Sequence, residues 1–579
     1  MNFELAMSLA ELKMRTSKSR YKPIKFLTEK SREFKSLSFN EMMVLCHLVR
    51  AAKKFDTIHF KLENHNNLDF LKFLDNEIKD GNQKAIYAKK MFLSQKSMFS
   101  PDSLGNQTKL VKGLNKTEGL GYFPEDLEKE EFHQIISDML YKGKRKEVEE
   151  ILNQRTIVVR DKNELKAIDF IDAFPEFQEV ADELEKAKIY SSDSDFNEYL
   201  TLQIQALRKA DANLDAEADK KWATLSGGKF EFTITRECYD ETLTSTIFEN
   251  KELADRLRSL GIKVYAKDSI GARVGIINKK GTKLLHKLKD LIEVAAKFMP
   301  YSDEYKRKED EDKTPQTAVD VDVITLSGDE GAYQASLVLA QNLPNDDKPS
   351  LKIGGGRRNV YHRQVRGNVN KKVYRNYIAD ESFKYFNPEA DHWAVICHEN
   401  THSLGPASHG GLGKYSAIME EFKADMGMYA FLDEFVEAGF FTQEQSKEIM
   451  VTSLSFGFLK GKPSLEQAHR VRSVMICNRM FTEKAMMLDV ENKLVFDFEK
   501  VKNTAKQMMS EVIRLQLDSN VQKAKEYIDK WFVWTDEINT IAEIIKKHSK
   551  KLNGYLQEPL ADLMLDENFE KIAKALAKS

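Results

Sequence analysis

The segment Ala394–Pro406, AVICHENTHSLGP, sets His398 and His402 four residues apart with Glu399 directly after the first histidine. On a helix, positions i and i+4 share a face, so both imidazoles can bind one ion. Zinc held in this way acidifies water toward a pKa of about 7, and Glu399 has the reach to take the proton as the oxygen attacks a carbonyl. A catalytic zinc site needs a third protein ligand and one open position. Glu421, 19 residues after His402 in SAIMEEFKADMGMYAFLDEF, is the candidate, with Glu420 the alternative. Asp425 lies one turn beyond Glu421 on the same face, where a carboxylate can accept the free N–H of a ligating histidine.

Two helices must position these groups. One carries His398 and His402. The other is marked by apolar Ile418, Phe422, Met426, Tyr429 and Phe435, with Ser416 as its expected N-cap and Gly439 as its stop. Elsewhere the spacing predicts helices over residues 30–215 and from Asp391 to the end. Strands are predicted at Phe230–Thr235, Val274–Asn278 and 319–326, and residues 342–356 are turn-rich. No internal repeat or Pro-rich linker interrupts the chain, so packed lobes are expected rather than beads on a string.

The 579 residues suffice for several domains, and only 27 glycines and 12 prolines favour helices over a strand-and-turn design. Lys and Arg number 89 against 91 Asp and Glu, which removes the electrostatic case for a nucleic-acid or anionic-membrane partner. Cys46, Cys238, Cys397 and Cys477 form no CxxC pair, so a reducing compartment is expected and no cysteine zinc site. Glu4 and Glu11 interrupt the apolar start of the chain, and no apolar run reaches a membrane-span length. The expectation is a soluble, cytoplasmic protein.

HENTH and EEFKAD together resemble the dipeptidyl peptidase III family of zinc exopeptidases. Arg236-Glu237-Cys238-Tyr239 resembles that family's Glu-x-Tyr segment, Asp268–Arg273 its Asp-x-x-Gly-x-Arg turn, and Asn342–Asn345 its Asn-Leu-Pro-Asn segment. Gln467-Ala-His469 is similar to its Gln-Ala-His, and GYFPEDLEKEEF at 121–132 to a stretch of the plant members that carry a Nudix domain; no Nudix box occurs here. The pair of histidines is one residue closer than in most members, in the spacing of ordinary zincins. The stretch from Cys238 to Asp268 is also longer than the family pattern leads one to expect.

The resemblance implies one zinc ion held by His398, His402 and Glu421, with Glu399 as general base. It implies that Tyr239 and His469 donate hydrogen bonds to the oxyanion, and that Glu237, Asn342 and Asn345 hold the substrate's free amino terminus. An acid and two amide oxygens suit an ammonium group. It further implies an α+β, predominantly helical fold of two lobes flanking a cleft. The sheet-bearing lobe would comprise 1–280 and 319–365, and the helical zinc-binding lobe 281–318 and 366–525. The carboxy-terminal helices of 526–579 are assigned to neither. The expected activity is release of dipeptides from the amino terminus of short peptides. A zinc amidohydrolase acting on a non-peptide amide, or a binding protein with a vestigial zinc site, are the alternatives; an intact Glu399 speaks against the last.

Other features carry less. GGLGKYS at 410–416 lacks the glycine that a phosphate loop needs at Ser408. IGGGRRNVYHRQVR at 353–366 reads either as an anion-binding segment or as a solvated loop. His392 and His409 do not share the face of His398 and His402 and are given no metal role.

Overall fold

The computed structural model describes residues 3–17, 21–22, 27–101, 107–209, 211–236, 241–288, 290–305, 317–332, 340–343, 356, 358–362, 371–406, 411–465, 467–548, 553–554 and 558–578. Its centre is a five-stranded mixed sheet built from β1 (Phe230–Thr235), β2 (Gly271–Ile277), β3 (Thr317–Gly328), β4 (Ala340–Leu343) and β5 (Arg358–His362), in the order β1-β2-β3-β5-β4. β1, β2 and β3 pair antiparallel in sequence, β5 pairs parallel with β3, and β4 closes the edge antiparallel to β5 with Asn342 opposite Asn359. Strands covered on both faces bury every side chain. That is why FEFTIT, which alternates in the sequence, is buried at all six positions.

Against this sheet lies α1 (Phe39–Glu63). It starts at Ser38, whose Oγ accepts from Glu41 N–H (3.3 Å) while Ser38 N–H donates to the Glu41 carboxylate (2.8 Å), so two orphan donors are satisfied reciprocally. Val44, Leu48 and Phe55 of α1 are in a first apolar core with Phe232, Val274 and Val323 of the sheet and with α2 (Glu176–Tyr190). The predicted helical run 30–215 is interrupted by a hairpin, Thr156–Asp161 against Glu164–Asp169, where RTIVVRDKNELKAID alternates around a turn with Lys162 at positive φ.

A second apolar core is almost wholly helical. It takes in α3 (Ala390–His402), α4 (Ser416–Met426), α5 (Ala468–Thr482) and α6 (Phe498–Asp518). One short hairpin, Met486–Leu488 with Leu494–Phe496, stands among them. The helix expected to run from Ser416 to Gly439 is two pieces: α4 ends at Met426, and a second helix covers Leu432–Glu437. Ser416 is the first helical residue, with Tyr415 before it as cap.

The end of the chain is shared between the cores. Asp536–His548 adds Ile538 and Ile541 to the second, whereas Leu560, Met564 and Phe569 join the first, where Arg50 Nε donates to the Met564 carbonyl at 3.0 Å. Among the described residues no helix is long and apolar enough to cross a membrane.

The segment read as a glycine-led arginine loop holds β5, and Arg358 in it is 1% exposed. Its guanidinium meets the Glu231 carboxylate at 3.0 Å, and the Trp222 indole N–H donates to the same carboxylate at 2.8 Å. A buried charge is tolerable when paired and hydrogen-bonded in this way. The partner stands 127 residues away, beyond any local pattern.

Candidate metal centre

The helix α3 packs beside the edge strand β4, and Asn400 Oδ1 on α3 accepts from Asn359 Nδ2 of β5 at 3.3 Å. The other side of α3 meets α4. The two helices come close because residue 427, just past α4, is glycine: a Cβ there would stand 1.8 Å from Thr401 Oγ1, within HENTH. Past α3 the chain turns at Gly405, with φ of +87°.

This approach brings His398, His402 and Glu421 together, with one ligand atom from each within 4.8 Å of the others. His398 Nε2 and His402 Nε2 are 3.2 Å apart; Glu421 Oε2 lies 3.4 Å from the first and Glu421 Oε1 3.8 Å from the second. Donors sharing one tetrahedral ion with bonds of about 2.1 Å stand roughly 3.4 Å apart. Glu421 Oε2 is buried and makes no hydrogen bond of good geometry among the described residues. Both observations fit a zinc ion.

The outer nitrogens of the imidazoles each have a carboxylate. His398 Nδ1 is 2.8 Å from Asp425 Oδ1, and His402 Nδ1 is 3.1 Å from Glu420 Oε1. Each carboxylate takes the Nδ1–H and leaves Nε2 with a lone pair facing the metal position. Glu420, weighed as an alternative ligand on sequence, therefore stands behind His402. Behind the carboxylates stand cations: Arg472 of α5 on Asp425, and Lys423 on Glu420 at 2.8 Å.

Burial opposes ionisation of Glu421, but the imidazoles around it, His469 first and then His398 and His402, outweigh it. They hold its carboxyl well below the usual carboxylate range. His469, whose ring is largely exposed, has Nδ1 2.9 Å from Glu421 Oε2, and the Glu421 charge raises its pKa. Glu399 is buried, and its charge acts on both His469 and Arg472.

The structure thus gathers His398, His402, Glu399, Glu421, Asp425 and His469. Glu237, Tyr239 and Asn345 lie outside the described residues, and Asn342 is described by its backbone alone, on the edge strand. Arg472 and Lys423 were not singled out from the sequence. Arg472 had a signal: it stands three residues after His469, on the same helical face.

No protein-family model matches this sequence, and no curated protein does. Solved structures do match. DPP III from Caldithrix abyssi superposes with a TM-score of 0.75 at 20% identity, over 93% of this chain and 98% of that one. Dipeptidyl-peptidase III from Corallococcus sp. strain EGB gives 0.75 at 17% identity, over 100% and 99%. Over nearly its full length, this predominantly helical α+β chain has the fold of the dipeptidyl peptidase III structures, with a candidate His-His-Glu metal site within it.

Proposed function

We propose that this protein is a zinc-dependent peptidase that releases dipeptides from the amino terminus of short peptides. The observation that carries the proposal is the convergence of His398, His402 and Glu421 on an adjacent pair of helices, one of which lies beside a sheet edge. The similarity to structures titled dipeptidyl peptidase III supports the substrate class. Two lobes built around the two larger apolar cores, with a cleft between them, complete the reading.

His398, His402 and Glu421 would hold the zinc, which supplies Lewis acidity toward water and the scissile carbonyl. Glu399 accepts the proton of the attacking water and delivers it to the leaving amine. Asp425 and Glu420 keep the imidazole Nε2 atoms turned inward. The peptide adds as a strand along β4, where backbone hydrogen bonds fix its register whatever its sequence. Tyr239 and His469 donate to the developing oxyanion. Glu237, Asn342 and Asn345 grip the α-ammonium, which sets the cut after the second residue.

A tetrapeptide and its amino-terminally acetylated twin test this reading. Acetylation removes the charge and leaves Glu237 without its cation, a penalty of about 1–3 kcal/mol. The free peptide should therefore be cleaved roughly 5- to 150-fold faster in kcat/KM, at about 1.4 kcal/mol per tenfold, and mass spectrometry should find dipeptides. Equal cleavage of both would defeat the exopeptidase reading and leave a zinc hydrolase of another specificity.

A further inference from the structure

Lys423 is fully buried, in the helix that carries Glu421. An ammonium in such a place must be paired and hydrogen-bonded. Its Nζ lies 2.8 Å from Glu420 Oε1 and donates to the Leu404 carbonyl at 2.7 Å. That carbonyl belongs to the turn directly after α3, and a Cβ at Gly405 would touch Lys423 Cδ at 3.4 Å. One side chain therefore joins the helix bearing Glu421 to the end of the helix bearing both histidines.

The same contact fixes a carboxylate. Glu420 Oε1 is shared by Lys423 Nζ and His402 Nδ1, and Gln516 Nε2 of α6 donates to Glu420 Oε2 at 3.0 Å. Held on both oxygens, the carboxylate cannot rotate away from His402.

We propose that Lys423 is a positioning residue for the metal: through Glu420 it holds the His402 ring with Nε2 directed at the His398–Glu421 pair. The inference rests on the metal site proposed above. It gives the two histidines parallel supports from different elements. Asp425 behind His398 is backed by Arg472 from α5, whereas Glu420 behind His402 is backed by a lysine of its own helix that also closes the α3 turn.

The test measures zinc affinity in the purified full-length protein, by competition with a chromophoric chelator, and needs no substrate. Lys423→Met should weaken zinc binding roughly 10- to 100-fold, the usual loss for an outer partner of a ligand. Glu420→Gln should weaken it similarly, and the double variant should bind no more weakly than the worse single one, because both break one relay. A lysine that only stabilised the helix would lower the melting temperature of the metal-free protein, and its effect on affinity would multiply with that of Glu420→Gln. If Lys423→Met fails to fold, Lys423→Gln, which keeps a donor but no charge, takes its place with the same expected loss. Unchanged affinity in the folded variant, or multiplying losses, overturns the relay. Zinc retained in full by His398→Ala overturns the metal site itself, so the two failures are distinguishable.

Discussion

The sheet and the metal centre both bury charge, but they complete it differently. Around the sheet several buried charges are paired or hydrogen-bonded. Arg358 faces Glu231, Asp215 lies between Arg155 and Arg236, and Lys267 donates to the Ile151 and Asn153 carbonyls and to Thr156 Oγ1, each at 2.8 Å. At the centre between α3 and α4, acceptor faces acceptor. If both Nδ1–H groups go to the carboxylates, the Nε2 lone pairs of His398 and His402 face each other across 3.2 Å, beside the Glu421 carboxyl. Such an arrangement is repulsive unless a cation stands in the middle. Satisfied polar groups hold a fold together, and convergent unsatisfied ones mark where a ligand belongs.

This contrast can be broken at several points. Glu399→Gln should cost the most in function, about 10²- to 10⁴-fold in peptide hydrolysis, because the proton acceptor is lost. Zinc content measured on the same sample should stay at the wild-type level. Hydrolysis near the wild-type rate would remove Glu399 from the chemistry.

Arg358→Met should act on the other region. It strands Glu231 in the core, and breaking a buried pair costs about 3–5 kcal/mol. Denaturant unfolding should show that loss, while chelator competition on the folded fraction should find zinc affinity unchanged. A selective loss of zinc with intact stability would show that the two regions are not separate in this sense.

Asp425→Ala should have the smallest effect. It removes the partner of His398 Nδ1 and should weaken zinc roughly 10- to 100-fold without abolishing it. Comparison with Lys423→Met then ranks the two histidine supports. No change in affinity would mean that packing alone orients His398.

The sequence by itself determined what lies within one helical turn or one strand. His398 and His402 share a face because 3.6 residues make a turn, and FEFTIT is a strand, found at the predicted residues Phe230–Thr235. It also showed that Glu421 and Asp425 stand one turn apart, so the centre was legible as a pair of helix faces. Only the tertiary structure decided the rest. It made β5 a buried strand because Glu231, far away in the chain, neutralises Arg358. It separated Glu420 from Glu421, adjacent residues of the same type, by setting one against His402 Nδ1 and the other against both Nε2 atoms. It set Lys423 and Arg472 behind carboxylates, a placement that depends on how α3, α4 and α5 pack. Backbone periodicity repeats over a few residues and is written locally. The partner of a buried charge is chosen by which distant segments pack together, and no local pattern encodes that choice.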